Sequence, residues 1–254
     1  MARTPTKQSG LAVATIILIV STSLRSGTAA AQESDEWKFR ITPYLWMLSL
    51  EGTTAALGQD VDVDASFSDI FDVLNIALFI NMELSKGNFF VFFDPMYTQL
   101  EADFAGPEGS TVGGKMEVDI VIADLAFGYS FDQYFGVYAG ARYYDQDYTV
   151  TPNLLPQISL GDDWTDFIIG LRAGGDVSEN WSLLYKMDFA VAGDSESAFY
   201  MQTALMRHFG DNMHLDVGWR YYDVDYESGA GPTRFKWDVA HSGPVVGFSW
   251  EFGG

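Results

Sequence analysis

From residue 37 to residue 252 apolar residues fall at every second position, in successive stretches bounded by Gly, Pro, Asn, Asp or Ser. A period of two is the pattern of strands that show one face to apolar and the other to polar surroundings. No apolar run long enough for a bilayer-spanning helix follows residue 31. If such a chain crosses a membrane, it does so as a closed barrel, the other architecture that pairs every backbone group internally. The mean hydropathy of +0.02 agrees, because alternating strands average out polar whereas a helical membrane protein is far more hydrophobic.

The first residues read differently. Arg3 and Lys7 give a basic start, residues 10–24 a short apolar core, and Ala29, Ala30 and Ala31 a small-residue cleavage site. This is the pattern of a signal peptide over residues 1–31, leaving 32–254 as one domain. Its loss removes Arg3, Lys7 and Arg25 and no acid, taking the net charge from −21 to −24. So acidic a chain is no partner for nucleic acid, whose phosphates require a basic surface. With no cysteine, neither a disulfide framework nor a thiolate metal site can form.

Alternation and turn signals predict ten strands, at 37–50, 76–86, 89–101, 115–131, 134–150, 164–176, 181–192, 198–209, 213–226 and 234–252. Eight or twelve strands remain compatible, chiefly because 59–66 could pair outside the membrane. Residues 51–75 read as a long acidic excursion with a short capped helix over 66–74, where Phe67, Ile70, Phe71 and Leu74 have helical spacing. The links at 85–88, 131–133, 178–180 and 210–212 are tight. Those at 51–75, 104–114, 151–162 and 227–233 are longer, and 193–197 is intermediate. Short turns alternating with long loops are the habit of outer-membrane barrels, with the turns and both termini in the periplasm. The expected fold is all-β: a closed antiparallel transmembrane barrel with a short helix in its first outer loop.

Parity assigns the polar set of each strand to the lumen. The cations there are Lys38, Arg40, Arg142, Arg172, Lys186 and Arg220, and the anions are Glu83, Asp94, Asp124, Asp166, Asp188, Asp216 and Glu251. These nearly balance, so the acidic excess belongs to the outer loops and strand ends. Unpaired ions in a narrow lumen are costly, and a mixed-sign network is one way for a small barrel to fill itself. Interior Gly136, Gly140, Gly170, Gly174 and Gly218 are expected to leave room for the arginines. The near-repeat of 140–148 (GARYYDQDY) and 218–226 (GWRYYDVDY) reads as one membrane-exit pattern used twice. In it Arg142 and Arg220 face inward, while Tyr143 and Tyr221, with Tyr97 on another strand, join an outer aromatic girdle.

Catalytic and metal patterns are weak. The histidines are His208, His214 and His241; only His241 is nearer the outer mouth, and Ser242, adjacent in sequence, does not give a dyad geometry on a strand, so no enzyme is expected. The run Asp60-Val61-Asp62-Val63-Asp64 fails the calcium-loop template at Ala65, where Gly is needed, and at Phe71, where Glu is needed. No metal site or cofactor is expected. Acidic outer loops bridged to lipopolysaccharide through divalent ions are the better reading.

Several short motifs carry a resemblance: Thr42-Pro43-Tyr44-Leu45-Trp46, Ala65-Ser66-Phe67-Ser68-Asp69-Ile70, Asp166-Phe167-Ile168-Ile169-Gly170-Leu171-Arg172, Gly218-Trp219-Arg220-Tyr221-Tyr222 and His241-Ser242-Gly243-Pro244. The chain resembles a family of largely uncharacterised bacterial outer-membrane β-barrel proteins, and more distantly the small OmpW-like and OmpA-like barrels. The resemblance implies the fold and the outer membrane, and with it the outer-membrane assembly machinery as a partner, which reads a final aromatic residue. Here Phe248, Trp250 and Phe252 alternate as required, but Gly253 and Gly254 follow. Two functions compete: a structural or narrow-pore barrel for small polar or anionic solutes, and a surface binding module acting through acidic, aromatic outer loops.

Overall fold

The computed structural model describes residues 36–56, 59–105, 113–154 and 156–253. The expected signal peptide, its cleavage site and most of the link at 104–114 lie outside them. The elements in chain order are β1 (Lys38–Trp46), β2 (Ser49–Ala56), β3 (Gln59–Ala65), α1 (Phe67–Val73), β4 (Leu74–Lys86), β5 (Phe89–Ala105), β6 (Gly113–Ser130), β7 (Phe135–Pro152), β8 (Ile158–Ser178), β9 (Trp181–Gly193), β10 (Ser197–His208), β11 (Met213–Ser228), a 3-10 turn (Gly231–Thr233) and β12 (Phe235–Phe252). From β4 to β12 each strand pairs antiparallel with the next, and β1 closes the cylinder by pairing with both β4 and β12. The result is a closed antiparallel barrel of ten strands, with β2 and β3 as two further strands at one end.

β1 and β2 are one strand in all but a hydrogen bond. Phe39 lies opposite Phe252 and Thr54 opposite Trp237, the same register with β12 throughout. The break falls at Met47, which donates to the Pro244 carbonyl at 2.9 Å, while Pro244 has no N–H to return. Pro43 and Pro95 act alike. Regular pairing lapses opposite Pro43 in β12 and opposite Pro95 in β4, and resumes in unchanged register beyond each.

The excursion at 51–75 is therefore less of a loop than expected. β2 and β3 form a hairpin, with Leu50 opposite Ala65 and Ala56 opposite Gln59, and only 67–73 is helical. The alternating Asp60 to Asp64 run is a strand signal in its own right. α1 starts where Ser66 and Asp69 form a capping box, and its inward residue Ile70 is buried in the barrel core. Strands are also longer than read from sequence. β8 begins at Ile158 rather than near 164, two residues after Pro156, and β5 runs on to Ala105.

Parity holds along the whole cylinder. Even-numbered residues of β1, β5, β6, β7, β8 and β11 point into the lumen, and their odd-numbered neighbours point out. The outward set includes Leu45 at 68% exposure and Phe127 at 61%, with Leu78, Phe167, Ile169 and Phe189 also exposed. The tight turns, the start of the first strand at Lys38 and the end of the last at Phe252 lie at one rim, and the longer connections at the other.

Candidate functional site

The lumen has three zones, and the strand register positions each. Toward the long-loop rim, inward aromatics make a core like that of a water-soluble domain. Tyr144, Trp164 and Tyr226 stack with ring centroids 4.7 and 4.0 Å apart, and Phe235 and Trp237 pack beside them. These residues sit on β7, β8, β11 and β12, so the stack ties opposite walls together above the charged zone.

Below this core lies a layer of arginines, carboxylates and tyrosines. Arg142 is fully buried and grips Asp124 with two nitrogens, Nε to Oδ1 at 2.6 Å and Nη2 to Oδ2 at 3.0 Å. Its Nη2 also meets Asp188 at 3.0 Å. Arg220, 2% exposed, donates to Asp94 at 2.8 Å and to the Tyr44 hydroxyl, which in turn donates to Asp94 at 2.7 Å. Tyr222 donates to Asp124 at 3.0 Å and Tyr138 to Asp188 at 2.8 Å. The Tyr200 ring lies between the two guanidiniums, 5.3 Å from that of Arg142 and 5.6 Å from that of Arg220. Such fork-to-carboxylate pairs are the strongest way to hold a buried cation. Because Arg220 reaches from β11 to β5, and Tyr222 from β11 to β6, the layer braces the barrel across its diameter.

The third zone opens toward the short-turn rim. Glu83 there accepts from Arg40 at 3.0 Å and Arg172 at 2.9 Å, and Lys38 meets Glu251 at 3.4 Å nearest the rim. A cavity of about 60 Å³ lies between these pairs and the arginine layer, lined by Arg40, Asn81, Glu83, Lys186, Gln202 and Asp216 among others.

Of the lumen charges expected from parity, the structure thus brings Arg142, Asp124 and Asp188 into one group, Arg220 and Asp94 into a second, and Arg40, Arg172 and Glu83 into a third. Three stand apart. Asp166 turns away from the cations and accepts the backbone N–H groups of Asp194 and Ser195 at 3.1 and 3.0 Å, holding the turn between β9 and β10. Asp216 accepts from Ser249 at 2.8 Å and lies 3.9 Å from His214 Nε2. Lys186 meets no carboxylate within 4 Å among the described residues, and its ammonium sits 3.8 Å above the Phe92 ring. The interior glycines make room for rings and backbone rather than for arginines. A Cβ on Gly170 would meet the Tyr138 ring at 2.4 Å, and one on Gly218 the Thr203 carbonyl at 1.9 Å.

Sequence reasoning missed the tyrosine half of the network. Alternation alone places Tyr44, Tyr138, Tyr200 and Tyr222 inside, but their partners belong to strands far away in the chain. It also missed a contact at the short-turn rim, where Ser182 Oγ lies 2.6 Å from His208 Nε2. Ser182 is buried there, while His208 lines an open pocket at the rim with Asp176, Glu179 and Asp211. On the outer surface Tyr97, Tyr143 and Tyr221 stand where apolar outward residues give way to acids. Tyr97 donates to Asp119 at 2.6 Å and Tyr221 to Asp223 at 3.0 Å.

No family model matches this chain, and no curated protein does. Solved structures do. The outer membrane protease OmpT from Escherichia coli superposes with a TM-score of 0.58 at 9% identity, over 86% of this chain and 97% of that one. The translocator domain of the autotransporter NalP from Neisseria meningitidis gives a TM-score of 0.47 at 12% identity, over 88% of this chain and 90% of that one. At such identities what is shared is the fold, that of an outer-membrane β-barrel.

Proposed function

We propose that the chain resides in a bacterial outer membrane as a barrel sealed at rest, structural rather than porin-like, with its acidic long-loop end facing outward. The observation that carries this reading is the arginine layer, in which Arg142 is 0% and Arg220 2% exposed. No hydrated ion passes guanidiniums held this tightly by carboxylates on opposite walls. Outer-membrane residence is supported by the outward apolar face, which in water would be far larger than the apolar patches a soluble monomer exposes, and by the aromatic girdle above it. On this reading the uncharacterised-family resemblance describes the chain's relatives. The aromatic alternation of β12 serves the assembly machinery, and the acidic rim meets lipopolysaccharide through divalent cations.

Reconstitution in planar bilayers tests the seal. The wild-type barrel is expected to be silent, and the double variant Arg142→Ala with Arg220→Ala to show conductance steps. Steady ion-selective steps from the wild type would overturn the sealed reading in favour of a narrow pore. The alternative, a surface binding module, draws on α1, where Phe67 and Phe71 are exposed side by side with ring centroids 5.7 Å apart.

A further inference from the structure

We propose that the cavity on the short-turn side of the arginine layer is a binding site for a small monoanion, a halide or a short carboxylate, with Lys186 as its charged anchor. Lys186 is 8% exposed and lines this cavity. Its neighbours across the ladder are Arg172 on β8 and Gln202 on β10, a like charge and a neutral amide. Neither supplies a counter-ion; Asp94, Glu83 and Asp124 act on Lys186 only from beyond contact distance, and Glu83 is already shared by Arg40 and Arg172. A desolvated ammonium with no anion in contact is costly. It must gain an anion, give up its proton, or settle for a ring face. The Phe92 ring at 3.8 Å and the more distant Tyr138 ring at 5.8 Å flank the Lys186 ammonium, and the side chain also lines the cavity.

Donors suited to an anion converge there. Gln202 Oε1 already accepts from Tyr200 at 2.6 Å and from Arg220 at 3.5 Å, which leaves its NH2 as the donating end. Asn81 lines the same wall. The charge count around the cavity sets the valence of the guest. Among the charged side chains that line it, the cations Arg40, Lys186 and Arg220 outnumber the carboxylates Glu83 and Asp216 by one, which suits a guest of single negative charge. A phosphate dianion would meet excess repulsion from Glu83 and Asp216. Size points the same way. About 60 Å³ holds on the order of four waters, or one ion between chloride and acetate in bulk. The exposure of the flanking pairs rises toward the short-turn rim, from Glu83 at 12% to Lys38 at 42% of side-chain area, which marks that rim as the way in.

This inference goes beyond the sealed-lumen reading and does not rest on it, since the bilayer experiment can go either way without touching the site. Crystals of the refolded chain soaked in sodium bromide, with diffraction recorded at the bromine edge, provide the test. The expected result is an anomalous peak within about 3.5 Å of Lys186 Nζ, lost in Lys186→Met crystals and displaced by co-soaked sodium acetate. A folded wild type showing no peak in the cavity overturns the proposal without any variant. A peak that survives in Lys186→Met, or in Lys186→Gln should the first variant fail to refold, overturns the role given to the lysine.

Discussion

At the scale of single residues, the lumen shows why buried charges cannot be valued one at a time. Arg142 is shared by Asp124 and Asp188, while Tyr222 and Tyr138 each add a hydroxyl to one of those carboxylates. Replacing Arg142 with Met leaves two buried carboxylates facing each other with no cation between them. The expected cost is about 3–5 kcal/mol, the range for breaking a buried ion pair from one side. Urea unfolding in micelles measures it. A loss below about 1 kcal/mol would mean that water reaches the layer and the seal is not dry. Pairing Arg142→Met with Asp124→Asn should recover part of the loss, because one of the stranded charges is then gone.

At the scale of elements, two local devices explain where the strands depart from regularity. Prolines 43, 95 and 244 each withdraw one donor from the wall without shifting register, so β1 and β2 behave as a single strand with a gap. The capping box sets the start of α1. Hydrogen bonds from the Ser66 hydroxyl and backbone N–H hold the Asp69 carboxyl below its ordinary range. A depressed folded value means that the cap contributes in full above the unfolded pKa of about 4 and is lost as pH falls through the folded one. The Ile70 N–H, bonded to the Ser66 carbonyl at 3.0 Å, should therefore lose exchange protection on acidification below about pH 4. In Asp69→Asn that protection should be lower at neutral pH and insensitive to acid. A variant as protected as the wild type at both pH values would show that packing of Ile70 alone defines the helix.

At the scale of the molecule, strand length is the feature that sets this barrel apart from one that merely spans. β5, β6, β7, β8 and β12 contain 17, 18, 18, 21 and 18 residues, whereas about 9–11 tilted residues cross a bilayer. The surplus lies at the long-loop end, where β2, β3 and α1 form an annex to the cylinder. Closure does not depend on them, since β1 pairs with β4 and β12 below Met47. Replacing 52–72 by a short turn should therefore leave a barrel that still shows heat-modifiable gel mobility, with a lower melting temperature because Ile70 no longer covers the aromatic core. Failure to refold at all would show that the annex nucleates closure.

Much of this architecture was legible beforehand because a strand's two faces are set by neighbours in the chain. Wherever outward Leu, Ile, Phe and Val alternate with inward polar residues, parity follows from the covalent geometry of an extended chain, and one slipped residue would invert every side chain. Inward placement of Lys38, Arg40, Glu83, Asp94, Asp124, Arg142, Arg172, Lys186, Asp188, Asp216 and Arg220 thus required nothing beyond periodicity. Which of them meet is another matter. Arg220 and Asp94 are 126 positions apart, and their contact depends on the stagger that ten strands adopt on closing. The same stagger brings the Asp194 and Ser195 amides to Asp166, and leaves Lys186 between an arginine and a glutamine. Alternation, a property of the chain itself, determined the strands, their faces and the charged character of the lumen. Only the closed tertiary structure decided which charges meet and which, like Lys186, line a cavity with no carboxylate in contact, because those contacts exist only once opposite walls are held a lumen's width apart.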